Sequence, residues 1–285
     1  MFLKHQIADV NINFFLKIME LNEILNKLWN DYAQQNPSAK AILQLFENEG
    51  ETVKNDHIAF RTFNHPKVNI DVLSQPFLNV GYKEMGEYFF KEKHLYAKHF
   101  ENPSHPDAPR IFISELIVED FSPFLQNVVN ECINNVPEGI SGEELIFSGT
   151  IWRTPNWDNY LKLRDESEYA AWLYVYGYRA NHFTVSVTHL QKYGTMEKTN
   201  QFLKDKGFML NTSGGEIKGT PEELLQQSSI MADIIPKQFT DRVEKIPACY
   251  YEFARRFPDV NGNLYSGFIA KSADKIFEST NYYLK

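Results

Sequence analysis

Hydrophobic and polar positions follow two different spacings along this chain, and the two together predict a mixture of helices and strands. In some segments apolar side chains recur every three or four positions, which is typical of amphipathic helices. These predicted helices cover residues 20–35, 39–48, 67–79, 120–135, 195–206 and 272–280. Other segments are short apolar runs or alternate with a period of two, which is typical of strands. These predicted strands cover residues 55–63, 82–85, 87–100 (long enough for two strands), 110–118, 181–187 and 247–257.

Three segments have a less regular pattern. Residues 140–178 are expected to be irregular at first and then helical. Residues 208–219 predict a hairpin around Ser213, Gly214 and Gly215, because small residues of this kind favour tight turns. Residues 223–231 fit a helix as well as a strand.

The order of elements is repeated in the two halves of the chain. Each half begins with a strand that carries a His, continues with a helix, and ends with a strand that carries a Glu. The fold class predicted from this repeat is α+β, with two βαβββ modules that form one curved mixed sheet around a pocket, and with added packing helices. The modules are expected at about residues 50–120 and 178–258, within a single domain of residues 20–285. The repeat predicts four positions that face the pocket, at His57, Glu115, His182 and Glu252.

The strand at residues 55–63 has two chemically different faces. Ile58 and Phe60 point to one face, and His57, Ala59 and Arg61 point to the other, since side chains alternate along a strand. An isolated charge is costly to bury. The second face is therefore expected to look into a polar pocket or at a bound ion.

His57, His182 and Glu252 together make a candidate metal site. Two His and one carboxylate are the ligands of non-haem Fe(II) oxygenases. A single His in a strand is more often structural than a ligand, so each residue alone is a weak signal. Glu252 also has an alternative interpretation as the partner of Arg255 or Arg256. Glu115 is the alternative metal ligand.

Arg61 is the candidate for binding an acidic group. It lies four residues beyond His57, which is about 13 Å along an ideal strand. A guanidinium there suits a carboxylate held several bonds away from the metal, which it can bind with two parallel hydrogen bonds. A structural ion pair with Asp56 or Glu115 is an equal alternative at this point.

Composition and charge exclude several classes of partner. With 43% hydrophobic residues the chain has ample material for a core, and its net charge of −8 argues against nucleic acid or an anionic membrane as the main partner. Two Cys give no disulfide framework, so we expect a cytoplasmic location. The sequence is compatible with a homo-oligomer.

The beginning of the chain is expected to be an extension of the domain. Residues 1–19 are interrupted by polar side chains and lack a signal-peptide cleavage site. No run reaches the roughly 20 apolar residues of a membrane span. Met19 is an alternative start, because the amphipathic helix that begins near Glu20 is typical of the beginning of a domain.

Several motifs of this chain resemble the 2-oxoadipate dioxygenase/decarboxylase family, a vicinal-oxygen-chelate or glyoxalase-like family that was formerly of unknown function. Taken together the motifs are specific, and the resemblance spans about residues 20–282. They are His-Ile-Ala-Phe-Arg-Thr-Phe at 57–63, Gly-Tyr-Arg-Ala-Asn-His-Phe-Thr at 177–184, Ser-Gly-Gly at 213–215, Leu-Gln-Gln-Ser-Ser at 225–229, Tyr-Tyr-Glu-Phe-Ala-Arg-Arg at 250–256 and Ala-Asp-Lys-Ile-Phe-Glu-Ser-Thr at 273–280.

The resemblance implies a mononuclear Fe(II) enzyme. The metal ligands of the family fall on His57, His182 and Glu252, and its substrate-binding Arg falls on Arg61. The implied reaction converts 2-oxoadipate and O₂ to D-2-hydroxyglutarate and CO₂, which is a step of lysine catabolism.

The segment between Glu252 and the last helix is shorter here than in the long bacterial members of the family. Ser266 and Phe268 are the residues that we expect to line the substrate pocket in this segment. Because this part departs from the family pattern, the choice of 2-oxo acid stays open.

Two other functions compete with this interpretation. One is a glyoxalase-like isomerase or lyase, or an extradiol-type dioxygenase, on the same scaffold. An isomerase is expected to use Glu115 as a fourth ligand and to need no O₂. The other is a non-catalytic binding protein, which predicts an incomplete set of ligands.

Overall fold

The computed structural model describes residues 21–280, except for the side chain of Asp274. The predicted extension at residues 1–19, the proposed start at Met19 and the end of the domain beyond residue 280 lie outside the described residues. None of the helices in the described part is both long and apolar enough to span a membrane.

The helices begin and end close to the predicted positions. They are α1 (residues 21–35), α2 (Pro37–Asn48), α3 (Ile70–Asn79), α4 (Pro123–Asn134), α5 (Gly142–Ile146), α6 (Trp157–Glu166), α7 (Glu168–Tyr176), α8 (Met196–Asp205) and α9 (Ala270–Phe277). Short 3-10 turns lie at Lys91–Lys93, Val118–Asp120, Val187–His189 and Glu278–Thr280. Side-chain caps explain several of the helix starts, because Ser122, Ser141, Asn156 and Thr195 each accept a hydrogen bond from a first-turn backbone N–H.

The strands form a main sheet and a separate hairpin. They are β1 (Asn55–Phe63), β2 (Lys83–Phe90), β3 (Leu95–Glu101), β4 (Arg110–Leu116), β5 (Ala180–Ser186), β6 (Leu225–Ser229), β7 (Ile234–Gln238), β8 (Val243–Pro247) and β9 (Glu252–Arg256). The main sheet has the order β2-β3-β4-β1-β5-β9-β6, and β7 pairs with β8.

The main sheet has two halves of similar plan, with four strands from the first half of the chain and three from the second. In each half the first strand lies parallel to the last one, as β1 does to β4 and β5 to β9, and the other neighbours are antiparallel. The antiparallel pair β1–β5 joins the halves at the centre of the sheet. The α+β class with a mixed sheet of two modules is therefore confirmed.

The two faces of the sheet are covered by different helices. We call the face that carries His57 the inner face and the other one the outer face. On the outer face, Phe60 packs on Phe77 of α3, and Phe183 packs on Trp29 of α1. Helices α7 and α9 cover part of the inner face.

Three local predictions differ from the structure. Residues 208–219 do not form a hairpin. Instead, Lys218 pairs with Gln227 at the free edge of β6, and Leu210 pairs with Ile230 just after β6, each through a single bridge. The β7–β8 hairpin was not predicted, because its residues are largely exposed and give a weak hydrophobic pattern. The last strand begins at Glu252 rather than at 247, because the backbone just before it forms hydrogen bonds outside the sheet. The Tyr250 carbonyl accepts from the Tyr32 hydroxyl of α1, and the Cys249 N–H donates to Asn36 Oδ1.

Candidate metal centre

Three buried side chains meet at the centre of the inner face. His57 lies on β1, His182 on β5, and Glu252 at the start of β9. One ligand atom from each residue lies within 4.8 Å of the other two. Glu252 Oε1 is 3.7 Å from His57 Nε2, and Glu252 Oε2 is 3.1 Å from His182 Nε2. The structure thus brings together the three residues that the sequence predicts as ligands.

The register of three neighbouring strands creates this cluster. His57 lies opposite Thr184, and Ala59 lies opposite His182, so both imidazoles are on the same face of the β1–β5 pair. Thr184 is also level with Glu252 on the other side. Because paired residues share a face of the sheet, the carboxylate projects to the same side as the imidazoles.

Each imidazole is oriented by the residue that precedes it in the chain. His57 Nδ1 donates to Asp56 Oδ1 at 2.9 Å, and His182 Nδ1 donates to Asn181 Oδ1 at 2.9 Å. A hydrogen bond of this kind fixes the tautomer and the ring orientation of a metal-binding His. Both Nε2 atoms are left to face the centre.

The pKa shifts favour the protonation states that a metal requires. Burial raises the pKa of Glu252, but the nearby charges of His57 and His182 and the Gln227 N–H outweigh it, so the pKa is lowered from its ordinary value. Gln227 Nε2 donates to Glu252 Oε1 at 2.7 Å. Burial lowers the pKa of His182, more than Glu252 raises it. A carboxylate and a neutral imidazole are the states that coordinate metal ions.

The cluster fits a divalent transition metal. The His182 Nε2 is buried, and it makes no hydrogen bond in good geometry to any residue from 21 to 280, although the Glu252 carboxylate is close. Thr184 Oγ1 lies 3.1 Å from His57 Nε2, within reach of the same centre. Two imidazoles and one carboxylate on one side of a metal leave other coordination positions free.

Arg61 is almost fully buried, and its guanidinium is available for a ligand. None of its three nitrogens makes a hydrogen bond within the described part of the chain. The nearest carboxylate oxygen is Glu168 Oε2, at 3.7 Å from Nη1, and the guanidinium lies over the rings of Tyr169 and Trp172 at 4.8 and 5.2 Å. A cavity of about 290 Å³ between α7, residues 92–95 and α9 reaches this side chain.

The predicted structural partners of Arg61 are engaged elsewhere. The Asp56 carboxylate accepts two hydrogen bonds from Arg256, at 2.8 and 2.9 Å. Glu115 Oε2 accepts from the backbone N–H of Ile70 at 3.0 Å. The ion pairs of Arg61 with Asp56 or Glu115, which were an equal alternative from spacing, are therefore not formed. The alternative pairing of Glu252 with Arg255 or Arg256 is not formed either, since Arg256 binds Asp56.

The prediction of Glu115 as an alternative metal ligand was wrong. Glu115 lies opposite Thr62 on β4, and Phe112 lies opposite Ala59. Since side chains alternate, Glu115 projects from the outer face, where it meets the first turn of α3. The β4 residue that projects from the inner face beside Ala59 is Phe112.

The two predicted pocket residues occupy different places. The Phe268 ring stands edge-on to the His57 imidazole, with 4.9 Å between centroids, and packs on Phe112 at 4.7 Å. Phe268 is thus part of the wall beside the metal centre. Ser266 instead lies near Glu101 and helps to lower the pKa of that carboxyl.

Sequence reasoning missed the residues that support the ligands. Asp56 and Asn181 carry a recognisable signal, because an Asx residue immediately precedes each ligand His. Gln227 and Arg256 lie within the quoted motifs, but nothing in their spacing indicates which side chains they bind. Lys218, whose pKa burial lowers to about 8, is also level with Gln227 near this centre.

Comparison with known proteins assigns the chain to a family. A family model described as 2-oxoadipate dioxygenase/decarboxylase matches residues 17–138 and 144–262. The 2-oxoadipate dioxygenase/decarboxylase of Arabidopsis thaliana, described as chloroplastic, is 37% identical over 283 residues, which cover 90% of this chain and 76% of that protein.

Comparison with solved structures supports the fold described above. The hydroxyglutarate synthase of Oryza sativa in complex with 2-oxoadipate has a TM-score of 0.85 and 36% identity, with 91% of each chain covered. A Shewanella frigidimarina protein described as a hydrolase has a TM-score of 0.82 and 49% identity, and the match covers 88% of this chain and 98% of that one. A glyoxalase-superfamily protein from Ralstonia eutropha has a TM-score of 0.73 at 19% identity over 88% of this chain and 86% of that one, which supports the glyoxalase-like fold alone.

Proposed function

Since the chain belongs to the 2-oxoadipate dioxygenase/decarboxylase family, we propose that it is an Fe(II)-dependent enzyme that converts 2-oxoadipate and O₂ to D-2-hydroxyglutarate and CO₂. The reaction balances, because one oxygen atom enters the new carboxylate and the other enters the new hydroxyl group. The observation that carries the proposal is the buried His57–His182–Glu252 cluster on the same sheet face as the unpaired Arg61 guanidinium.

The three ligand side chains would hold the metal from one side. Bound Fe(II) would supply the redox chemistry with O₂ that removes CO₂ from the 2-oxo acid and hydroxylates the adjacent carbon. The hydrogen bonds from His57 to Asp56 and from His182 to Asn181 keep both Nε2 atoms directed at the metal. The protein thereby orients the ligands before substrate arrives.

Arg61 would hold the far carboxylate of the substrate. It shares a strand face with His57 at a separation of about 13 Å, which suits a dicarboxylate extended between the metal and the guanidinium. The bound carboxylate would supply the hydrogen bonds that Arg61 lacks within the described residues. Glu168, at 3.7 Å, would then be the group that substrate competes with.

Aromatic rings would keep water away from the reacting atoms. Phe268 covers His57 and packs on Phe112, and Tyr88 lies 5.9 Å from the Phe268 ring. A dry pocket strengthens the ionic contacts inside it. The position of Glu115 on the outer face argues against the isomerase alternative, which requires it as a fourth ligand.

The test is O₂ consumption by protein loaded anaerobically with Fe(II). We expect stoichiometric use of O₂ with 2-oxoadipate and release of CO₂ and 2-hydroxyglutarate. O₂ consumption is measured with 2-oxoglutarate and 2-oxopimelate for comparison. A second measurement uses Arg61→Lys, which keeps the charge but loses the planar fork, and which should raise KM for the dicarboxylate. Absence of O₂ use with all three acids would contradict the proposal.

The cellular setting stays a prediction. A place in lysine catabolism follows from the proposed substrate, and the cytoplasm follows from the absence of a disulfide framework in the sequence. The curated relative from Arabidopsis thaliana is described as chloroplastic.

A further inference from the structure

Arg256 uses both ends of its guanidinium, and the two ends bind different parts of the site. The side chain is buried and lies four residues beyond Glu252, on the same face of β9. Its Nε and Nη2 donate to the two carboxylate oxygens of Asp56 at 2.8 and 2.9 Å. Its Nη1 donates to the carbonyls of Tyr265 and Gly267 at 3.0 and 2.7 Å.

The Asp56 end leads to a metal ligand. The same Asp56 Oδ1 that accepts from Arg256 also accepts from His57 Nδ1. The carboxylate that orients His57 is thus itself fixed by Arg256.

The other end leads to the wall of the pocket. Residues 257–269 connect β9 to α9, and the outer part of this loop is exposed, with Val260 fully accessible. Its inner part turns back to the site and places Phe268 against His57. Arg256 binds the carbonyls of Tyr265 and Gly267, which shortly precede Phe268. The Phe268 N–H donates to the Tyr88 hydroxyl at 3.1 Å.

Charge neutralisation alone does not require this arrangement. A Lys at position 256 would neutralise Asp56, but a single ammonium cannot bind a carboxylate bidentately and also reach two carbonyls on the opposite side. The planar fork of Arg does both at once. What the fork adds is a fixed geometric relation between His57 and residues 265–268.

We propose that Arg256 is a positioning residue that couples the orientation of the metal ligand His57 to the loop that carries Phe268. Metal binding and the ordering of this loop are then linked, and each favours the other. The inference rests on the proposed function only in taking His57 as a metal ligand. It does not depend on which 2-oxo acid is the substrate.

The test compares Arg256→Lys with Arg255→Lys in the full chain. Arg255 is the matched control, because it is the preceding residue on the strand, it projects from the other face, and its guanidinium lies over Phe257 instead. Two quantities are measured without substrate or turnover. One is Co²⁺ affinity by competition with a chelator, and the other is hydrogen exchange of residues 257–269 with and without Co²⁺.

In the wild type and in Arg255→Lys, Co²⁺ should slow exchange in residues 265–268 at least about threefold. In Arg256→Lys, we expect Co²⁺ affinity to fall by about tenfold, which is within the range for residues that support metal ligands, and the slowing to disappear. Asp56→Asn should lower Co²⁺ affinity similarly while leaving the exchange of the metal-free loop unchanged, since Arg256 still holds the carbonyls.

Two results would overturn the proposal. One is an Arg256→Lys protein with the Co²⁺ affinity and the metal-dependent slowing of the wild type. The other needs no variant, and so applies even if Arg256→Lys does not fold: Co²⁺ binds the wild type but leaves exchange in residues 265–268 unchanged. A failure of the 2-oxoadipate assay would affect neither measurement.

Discussion

The two halves of the sheet have the same plan, but they give the inner face different side chains. Ala59 lies level with both Phe112 and His182, and Thr184 lies level with both Glu252 and His57. If one half of the sheet is superimposed on the other, His57 therefore takes the position of His182, and Phe112 takes the position of Glu252. The same relation matches Asp56 with Asn181. It also matches Tyr88 of β2 with Lys218, which pairs with Gln227 of β6 through an isolated bridge.

This difference explains why the candidate site has three side chains that could bind a metal and not four. Both halves supply an imidazole oriented by the residue before it, but only the second supplies a carboxylate. In the first half the corresponding position holds an aromatic ring that packs on Phe268. The three residues would thus hold a metal from one side, while the first half places the ring of Phe112 where a fourth ligand would stand.

The largest expected effect is the loss of the one carboxylate. Glu252→Gln should weaken metal binding by about 100-fold or more, beyond what supporting residues typically contribute, and turnover should become undetectable. Metal affinity by chelator competition and O₂ uptake are the measurements. Glu115→Gln is the control, and it should change neither, because Glu115 lies on the outer face. Turnover that survives in Glu252→Gln but not in Glu115→Gln would overturn the assignment.

The next prediction makes the two halves alike. Phe112→Glu should add a fourth ligand, so the protein should bind metal at least as tightly as the wild type but lose O₂ turnover. The physical reason is that a further carboxylate takes a coordination position that the 2-oxo acid needs. Phe112→Leu is the control and should keep turnover within about tenfold, since it removes the ring without adding a ligand. Equal turnover in the two variants would show that Phe112 does not occupy this position.

A smaller effect is expected from the residue that orients the second imidazole. Asn181→Leu removes the acceptor of His182 Nδ1, so metal affinity should fall by about tenfold. The free energy of unfolding should fall by no more than about 1–3 kcal/mol, because the buried His182 Nδ1 loses its acceptor, whereas Asn181 Nδ2 has no hydrogen bond within residues 21–280 to lose. Metal titration and urea unfolding of the metal-free protein separate the two effects. A large loss of stability with unchanged metal affinity would assign Asn181 a purely structural role.

The smallest effect concerns the Tyr88–Lys218 pair of positions. Burial lowers the pKa of Lys218 to about 8 in the folded protein, against about 10.4 in an unfolded chain. Between these values the unfolded chain binds more protons, so stability rises with pH in this window. Lys218→Met should therefore stabilise the protein by about 1–2 kcal/mol at pH 7, and this gain should shrink toward pH 10.

Urea midpoints at pH 7, 8.5 and 10 would check the Lys218 prediction. Lys204→Met is the control, because Lys204 pairs with Glu216 at the surface and is not expected to change stability by more than about 0.5 kcal/mol. A gain for Lys218→Met that is the same at every pH would contradict the sign of the shift.

The same comparison shows which parts of the site the sequence could reveal. The positions of His57 and His182 on the inner face follow from strand periodicity together with the repeated order of elements. The Asx residue before each His is a further signal in the sequence that the prediction does not use. The error at Glu115 came from the position along β4, because Glu115 and Phe112 are three residues apart and an odd offset moves a side chain to the other face. The Asp56–Arg256 pair joins residues 200 apart, and no local pattern encodes it.

The fold was predictable where its elements bury apolar surface and less so elsewhere. Strands β1, β4 and β5 are buried almost throughout, so their patterns are clear. The β7–β8 hairpin is half exposed and alternates weakly. The segment from 208 to 219 touches β6 only at single positions, which gives it no period to detect.

The pairing of β1 with β5 at the centre of the sheet has a consequence for synthesis on the ribosome. One neighbour of β1 is β4, which emerges soon afterwards, but the other contains Thr184, which follows its partner His57 by 127 residues. At typical elongation rates this edge of β1 waits about 6 to 25 s for its partner. During that time an apolar strand edge is open to wrong pairing.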